Sequence, residues 1–371
     1  MEFTVSKANL VRELSFSQGV VEKKTTIPIL SNVLIEASGD RITLTATDLE
    51  LGIRTSCPAR VKKQGSTTIP ARRLLDYVRL LPDSDIDVKV GENQWASITC
   101  GRAKTRIAGM SRESFPELPE MPEVLAEIPA KMLSTMIAKT IFAISAEETR
   151  FTLNGALFIL KPDGLVMVAT DGHRLAVVEK QLELSGLKGS YRALVPRKAM
   201  QEIQKLAAES GGDDKVKFTG DENHLFFEFG ERLLLSRKLT GNFPDYDRVL
   251  PKDQPHSVEL SRDELKGAID RVAQFSDDRS HAIRVRVDNG EVKVFSSLSD
   301  TGESEESLLV DYGGPGIEIG FNATYLTDFL RAISEGQAAF HFKDANSAGE
   351  MRPGGGNVDY SYRYVVMPMR I

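Results

Sequence analysis

The sequence predicts an α+β protein in which a unit of about 125 residues occurs three times. Three similar segments begin at Ile69, Val195 and Phe321, and consecutive starts lie 126 residues apart. Each segment has apolar residues at positions i, i+3, i+4 and i+7, the spacing of an amphipathic helix. A strand-like run follows each of them, at 86–90, 216–218 and 339–342. A repeat of this length predicts domains rather than the short stacked units of a solenoid.

A second set of helices opens each copy of the repeat. Leu10, Leu133 and Leu265 occupy equivalent positions in three similar segments, 123 and 132 residues apart. Ser6 and Ser261 precede two of these helices, and a serine hydroxyl at that position accepts a hydrogen bond from the first turn. The sequence therefore predicts two helices in each copy.

Strand-like runs between the two helices of each copy repeat as well. Thr47-Asp48 and Thr170-Asp171 each end such a run and lie 123 residues apart. In the third copy Asp288-Asn289-Gly290 separates two runs and predicts a hairpin turn. Proline-containing linkers at 115–122 and 251–255 separate the copies. We therefore predict domains at 1–122, 123–252 and 253–371.

The predicted helices are more basic than the rest of the chain. They span 6–14, 71–81, 130–140, 196–209, 261–276 and 323–335. Together they carry a net charge of +5, whereas the whole chain carries −6, which leaves −11 for the remainder. If all six helices face one side, that side is positive and can contact phosphates without reading base sequence. Ordinary solvated helix faces are the alternative explanation of the same charges.

The composition excludes several classes of protein. Among 371 residues, 41% are hydrophobic and 27% charged, which is typical of soluble globular domains. No apolar run reaches the roughly 20 residues of a membrane-spanning helix, and the first residues do not resemble a secretory signal. Cys57 and Cys100 are the only cysteines, too few for a disulfide framework or a Cys-rich zinc site. We therefore expect a cytoplasmic protein with no metal and no cofactor.

The sequence contains no recognised catalytic motif. Neither the phosphate-binding pattern G-x-x-x-x-G-K-[ST] nor the nucleophile elbow G-x-S-x-G occurs. Asp171 and His173 form the one pair that could serve a hydrolase. A turn that bends at Asp171 and Gly172 and exposes His173 and Arg174 explains the same residues. We therefore expect no enzyme activity and keep a His173/Asp171 hydrolase as an alternative.

The C-terminal segment is apolar and rich in methionine. Val365 and Val366 predict a last strand, which Pro368 cannot continue within a sheet. Methionines on either side of that proline are adaptable contact residues on surfaces that accept several partners. The segment is therefore either a packed tail or one wall of a partner groove.

Five segments in this order resemble the bacterial sliding clamps, the β subunits of the replicative DNA polymerase III. They lie at 27–30, 169–177, 195–198, 243–251 and 364–370. The resemblance covers essentially the whole chain. It implies three repeated DNA-clamp domains in a head-to-tail dimeric ring, with helices lining the central hole and sheets outside. Such a ring encircles duplex DNA without sequence specificity and tethers the polymerase, which confers processivity.

The resemblance also implies which residues form each site. DNA contacts fall on Lys24, Arg73, Phe151 and Lys198, and dimer contacts on Ile107 and Phe275. A partner-peptide groove is formed by Leu153, Thr170, Gly172, His173, Arg174, Leu175, Pro244, Arg248, Val249, Val366, Met367, Pro368 and Met369. Another edge of the groove is expected from 346–351, where relatives often carry apolar residues and this chain has Gly349 and Glu350.

The expected partners follow from the same resemblance. They are double-stranded DNA, a second copy of the chain, and short Gln- and Leu/Phe-rich motifs. Such motifs come from the DNA polymerase III alpha subunit, the clamp loader, other polymerases, mismatch-repair proteins and ligase, and no membrane is involved. A scaffold that binds only proteins is a further alternative. Retention on circular DNA, which only a ring provides, separates that alternative from the clamp.

Overall fold

The computed structural model describes residues 1–22, 25–147, 149–184, 187, 189–298, 302–356 and 358–370. These residues form two compact units. The first unit comprises Met1–Ser134 and Lys198–Lys238. The second comprises Thr135–Arg197 and the chain from Leu239 onwards.

Helices and antiparallel strands alternate along the described chain. The α-helices are α1 (Lys7–Ser17), α2 (Ala71–Leu80), α3 (Ala130–Ala138), α4 (Arg197–Ala208), α5 (Arg262–Val272) and α6 (Ala323–Ala332). The strands are β1 (Glu2–Ser6), β2 (Asn32–Ser38), β3 (Arg41–Thr47), β4 (Leu51–Pro58), β5 (Arg60–Lys63), β6 (Gly65–Pro70), β7 (Asp85–Val90), β8 (Trp95–Cys100), β9 (Ala103–Ala108), β10 (Ala126–Pro129), β11 (Gly155–Lys161), β12 (Gly164–Thr170), β13 (Arg174–Gln181), β14 (Tyr191–Pro196), β15 (Lys215–Gly220), β16 (His224–Phe229), β17 (Arg232–Arg237), β18 (His256–Ser261), β19 (Ala282–Asp288), β20 (Glu291–Leu298), β21 (Gly302–Leu309), β22 (Ile317–Asn322), β23 (Gln337–Phe342), β24 (Gly349–Gly354) and β25 (Ser361–Val366).

Each unit contains one large and one smaller antiparallel sheet. In the first unit the orders are β10-β15-β16-β17-β4-β3-β2-β6 and β5-β1-β7-β8-β9. In the second unit they are β14-β11-β12-β13-β25-β24-β23-β18 and β21-β20-β19-β22. Each large sheet joins strands of consecutive copies of the repeat, through β4 with β17 and through β13 with β25.

The helices bury the apolar face that the sequence predicts. In the first unit Leu10, Leu14, Leu74 and Val78 of α1 and α2 belong to one core cluster with the strands around them. Their four-residue spacing places them on one face of each helix, so that this face packs inward.

The predicted helix starts and the predicted hairpin are confirmed. The Ser6 hydroxyl oxygen accepts a hydrogen bond from the Asn9 N–H at 3.3 Å, and Ser261 accepts one from Glu264 at 3.5 Å. β19 and β20 form the hairpin, with Asp288 opposite Glu291. Its turn requires Gly290, whose φ is +76°.

Three predicted helix ends differ from the structure by three residues or more. The sixth helix ends at Ala332 instead of at 335. The first helix continues to Ser17, three residues beyond the predicted end. The fifth ends at Val272 and is followed by a 3₁₀ turn, Ala273–Phe275, in place of the predicted helix to 276. Among the described residues, none of the helices combines the length and the apolar character needed to cross a bilayer.

Candidate binding groove and nucleic-acid interface

A tightly hydrogen-bonded turn joins β12 to β13 at residues 170–174. The Thr170 hydroxyl donates to the Arg174 carbonyl oxygen at 2.6 Å and accepts from the Gly172 N–H at 3.1 Å. Asp171 Oδ1 accepts from the N–H groups of His173 and Arg174 at 2.9 and 3.1 Å. Gly172 has a φ of +91°, a conformation that side chains with a Cβ atom rarely adopt. The turn therefore presents its side chains on a fixed backbone.

Most of the Arg174 side chain is buried, and the prediction that it is exposed is wrong. Its side chain is 9% exposed and forms ion pairs with Asp171 at 3.0 Å and with Asp328 of α6 at 2.6 Å. It also donates to the Phe142 carbonyl oxygen and lies 4.4 Å from the ring centroid of Tyr325. Burial acts to lower the pKa of Arg174, but the neighbouring Tyr364, Asp328 and Asp171 outweigh it and raise that pKa overall. Arg174 therefore ties the turn to α6 as a permanent cation.

An apolar cavity of about 140 Å³ lies behind this turn in the second unit. The residues that line it are Leu153, Thr170, Gly172, His173, Arg174, Leu175, Pro244, Tyr246, Val249, Val365 and Met367. The segment 243–254, here called the connector, supplies one wall. Its side chains Phe243, Tyr246 and Leu250 pack on the face of the large sheet. The structure thus brings together most of the residues that the sequence assigned to the partner groove.

Two cavity residues were not identified from the sequence. Tyr246 lies inside the segment 243–251 and could have been included on that ground. Val365 and Met367 lie two residues apart at the end of β25, and alternate residues of a strand share a face. Val366 therefore points away from the cavity and is 1% exposed. Because alternate residues of a strand share a face, the assignment of Met367 to the groove predicts that Val365 also faces it.

Three other predicted groove residues lie outside this cavity. The Arg248 side chain is 85% exposed and forms an ion pair with Asp245 at 2.9 Å. Pro368 and Met369 line a second, more polar cavity of about 360 Å³, together with Arg284, Glu318, Gly320, Ala345, Asn346 and Arg370. The chain leaves the sheet after Val366, and the Met369 N–H then donates to the Gly320 carbonyl oxygen at 2.8 Å. Because the Met367 N–H also donates to the His173 carbonyl oxygen at 2.9 Å, residues 367–369 form a short tail that is hydrogen-bonded on both sides of Pro368.

Gly349 and Glu350 do not form a wall of the 140 Å³ cavity. A Cβ atom at Gly349 would lie 2.7 Å from Cε2 of Phe340 and 3.1 Å from Cζ of Phe321, so these two rings already fill the space. Glu350 is the next residue of β24 and is fully buried. Ala348 instead packs against the apolar cluster beneath the connector.

The Asp171–His173 pair does not form a hydrolase dyad. Asp171 accepts hydrogen bonds from two backbone N–H groups and from Nε of Arg174. The His173 ring is stacked on Tyr325, with centroids 6.5 Å apart. Within the described part of the chain, no three His, Cys, Asp or Glu side chains converge as metal ligands.

The predicted DNA-contact residues are described except for Lys24, which lies outside the described residues. Arg73 is exposed on α2, beside the exposed Arg72. Phe151 is 70% exposed in the 3₁₀ turn Phe151–Leu153. Lys198, at the start of α4, forms an ion pair with Asp48 and donates to the Val20 carbonyl oxygen at 3.2 Å.

The two predicted dimer residues lie at the outer strands of the smaller sheets. Ile107 is on β9, the last strand of its sheet, and is 5% exposed within its own core. Phe275 is half-buried and lies against Gly302, at the start of the outer strand β21. Exposed Lys104 and Arg106 make β9 basic. The acidic residues of β21 are Glu303, Glu305 and Glu306.

Comparison with known proteins identifies similar chains over the full length. Models of the N-terminal, central and C-terminal domains of the DNA polymerase III beta subunit match residues 1–119, 127–245 and 247–370. The beta sliding clamp of Caulobacter vibrioides is 36% identical over 380 residues, and that of Pseudomonas putida is 35% identical over 377, with both chains covered completely. The crystal structure of the Pseudomonas aeruginosa sliding clamp bound to griselimycin has a TM-score of 0.94 and 34% identity, with 100% of both chains covered.

Proposed function

The chain belongs to the family of bacterial DNA polymerase III beta subunits, the beta sliding clamps, and from this premise we propose that it encircles duplex DNA and tethers the replicative polymerase. The observation that carries the tethering role is the apolar cavity behind the turn at 170–174. A cavity with a fixed backbone, apolar walls and a few polar groups suits one or two apolar side chains of a linear peptide.

We propose that Gln- and Leu/Phe-rich motifs bind this groove. Leu175, Val249 and Val365 supply apolar contacts, and Met367 can adapt to leucine or phenylalanine. The proposed donors of these motifs are the polymerase alpha subunit, the clamp loader, other polymerases, mismatch-repair proteins and ligase. The clamp itself acts as a binding partner and performs no catalysis.

Basic side chains of the helices contact the DNA in this proposal. Arg73 and Lys198 are the described candidates, joined by Phe151 as an exposed aromatic residue. Lysine and arginine contacts to phosphates are independent of base sequence and weaken with salt. Contacts of this kind hold the duplex loosely enough for the protein to slide.

Two copies close the ring head to tail through the outer strands β9 and β21. A strand with a free edge can pair with a strand of another chain. The basic side chains Lys104 and Arg106 complement the acidic Glu303 and Glu305, so the two edges attract each other. A head-to-tail contact that closes makes a ring rather than a filament. The gap at 120–126 between the first two matched segments supports the predicted domain limit at 122, whereas the predicted limit at 252 lies inside the third matched segment, 247–370.

Retention on circular DNA tests the ring directly. The protein is loaded on nicked circular DNA by a clamp loader, separated from free protein by gel filtration, and the DNA is then cut once. We expect co-elution with circular DNA and loss after cutting, because a closed ring leaves DNA only over an end. Arg106→Glu reverses a charge on one edge and is expected to shorten retention. Equal retention on circular and linear DNA would contradict encirclement.

A further inference from the structure

Glu350 is a fully buried carboxylate that lines neither cavity at the C-terminal tail. Burying a carboxylate without partners is costly, so its partners indicate what it does. Arg363 of β25 donates to both of its oxygens, from Nε to Oε1 at 2.6 Å and from Nη2 to Oε2 at 2.9 Å. Arg352 of β24 adds one bond, from Nε to Oε1 at 2.7 Å.

These two arginines keep Glu350 ionised. Burial alone would raise the pKa of this carboxyl, but the hydrogen bonds and charges of Arg363 and Arg352 outweigh it and hold the pKa below its usual range. The carboxylate in turn fixes the plane of the Arg363 guanidinium, because a bidentate pair has a defined geometry.

Arg363 also reaches out of the sheet to the connector. Its Nη2 donates to the Pro251 carbonyl oxygen at 2.9 Å. Pro251 is two residues beyond Val249, which lines the cavity. Arg352 shares Glu350 with Arg363, but its hydrogen bonds and ion pairs include none to the connector.

The connector has few other polar attachments to the described sheet. Close to its start the Leu239 N–H donates to the Leu194 carbonyl oxygen at 3.2 Å. At its end Gln254 Nε2 donates to the Ala348 carbonyl oxygen at 2.8 Å. Beside it, Asp253 forms an ion pair with Lys343 at 3.6 Å. Between Leu239 and Pro251 the contacts are the apolar ones of Phe243, Tyr246 and Leu250, which do not fix position as narrowly as a charged hydrogen bond.

We propose that Glu350 and Arg363 form a latch that holds the connector wall of the groove in its binding position and thereby sets the affinity for partner peptides. This inference rests on the peptide-binding role proposed above. Both are positioning residues: they act through Pro251 on Val249 and Pro244, and they do not touch the peptide. The same latch explains why this chain has a glutamate where an apolar groove residue was expected.

A matched pair of variants tests the latch. Arg363→Met and Arg352→Met each remove one arginine from Glu350, but only the first removes the bond to Pro251. The dissociation constant of a fluorescent Gln-Leu-Ser-Leu-Phe peptide is measured by anisotropy for both. We expect about tenfold weaker binding for Arg363→Met and less than about twofold for Arg352→Met, as for loss of a hydrogen bond to a charged group. Retention on circular DNA should be the same for both variants.

Amide hydrogen exchange locates the effect independently of the peptide. The N–H groups of Val249 and Leu250 both donate to the Tyr246 carbonyl oxygen, at 3.0 and 3.2 Å. In Arg363→Met we expect faster exchange at these amides and unchanged exchange in β13 and β25. If Arg363→Met does not fold, Arg363→Lys replaces it, because one ammonium group cannot reproduce the fork to Glu350 and Pro251.

The outcomes separate the latch from the proposed function. Equal loss of peptide affinity in the two methionine variants, or no loss in either, would overturn the latch. Faster exchange throughout the second unit would also overturn it, because the ion pair would then be a general stabiliser. Failure of the unmodified protein to bind the peptide would instead refute the peptide-binding role, and exchange at 249–250 would still decide whether the latch exists.

Discussion

The turn at 47–51 in the first unit and the turn at 170–174 in the second have the same hydrogen bonds. In each, a threonine hydroxyl donates to a carbonyl oxygen four residues later and accepts from the N–H two residues later. In each, the following aspartate accepts from two backbone N–H groups. The last strand beside each turn also donates to it: Arg237 to the Glu50 carbonyl oxygen and Met367 to that of His173.

The two turns share their backbone hydrogen bonds but carry different side chains. The cavity beside the first turn, of about 310 Å³, is lined by charged residues that include Glu50, Glu117 and Arg237. Glu50 and Arg237 pair with each other at 3.1 Å. Its floor is Gly52, against which the linker residue Leu118 already packs. The equivalent of Gly52 in the second turn is Leu175, which faces a cavity with almost entirely apolar walls.

The repeat therefore supplies the backbone of both turns, and a few side chains supply the binding property. Leu51, the last residue of the first turn, is uncharged, and Asp48 of that turn pairs with Lys198 of α4. Arg174 in the second turn is itself the partner of Asp171 and Asp328. Of these two turns, only the one at 170–174 thus combines a hydrogen-bonded backbone with an apolar cavity.

The largest expected effect comes from removing the cation that pairs with the aspartate of each turn, Arg174 with Asp171 and Lys198 with Asp48. Arg174→Met leaves Asp171 and Asp328 without their buried partner and should lower the free energy of unfolding by about 3 kcal/mol. Lys198→Met should cost less than about 1 kcal/mol, because water can replace this 40% exposed side chain, and the buried Asp48 carboxylate keeps its hydrogen bonds from the Glu50 and Leu51 N–H groups. Urea unfolding followed by circular dichroism measures both. Equal losses would contradict the difference between the two turns.

A smaller effect, on peptide affinity, is expected at Met367 and Arg237, the equivalent lining residues of the two cavities. Met367→Asp places a carboxylate in the apolar cavity and should weaken binding of the Gln-Leu-Ser-Leu-Phe peptide at least about tenfold. Arg237→Asp changes the equivalent residue of the first cavity and should leave the dissociation constant unchanged. Anisotropy titrations of the two variants provide the check. A comparable loss in Arg237→Asp would indicate that the first cavity also binds the peptide.

The smallest effect concerns the third residue of each turn. Leu49 has a φ of +78°, whereas the equivalent Gly172 has +91°. Leu49→Gly should stabilise the protein by up to about 1 kcal/mol, and Gly172→Leu should destabilise it by about 1–2 kcal/mol, because a side chain is strained in this conformation. Melting temperatures of the two variants should therefore shift in opposite directions.

Local patterns in the sequence predict the repeated helices and the Asp288–Gly290 hairpin, because apolar spacing and turn residues act within a few positions. The joining of β4 to β17 and of β13 to β25 depends on pairing between distant strands and was not predicted. The burial of Arg174 depends on Asp328, which is 154 residues away. The pairing of Glu350 with Arg363 likewise requires the register of β24 and β25.

Peptide stoichiometry tests most directly that the groove lies at the turn at 170–174 and not at the turn at 47–51. The fluorescent Gln-Leu-Ser-Leu-Phe peptide is titrated against the full chain and against a variant that lacks residues 367–371. We expect saturable binding of one peptide per chain, abolished by the deletion, while the deleted protein still folds. Binding that survives the deletion, or a second site per chain, would contradict this account.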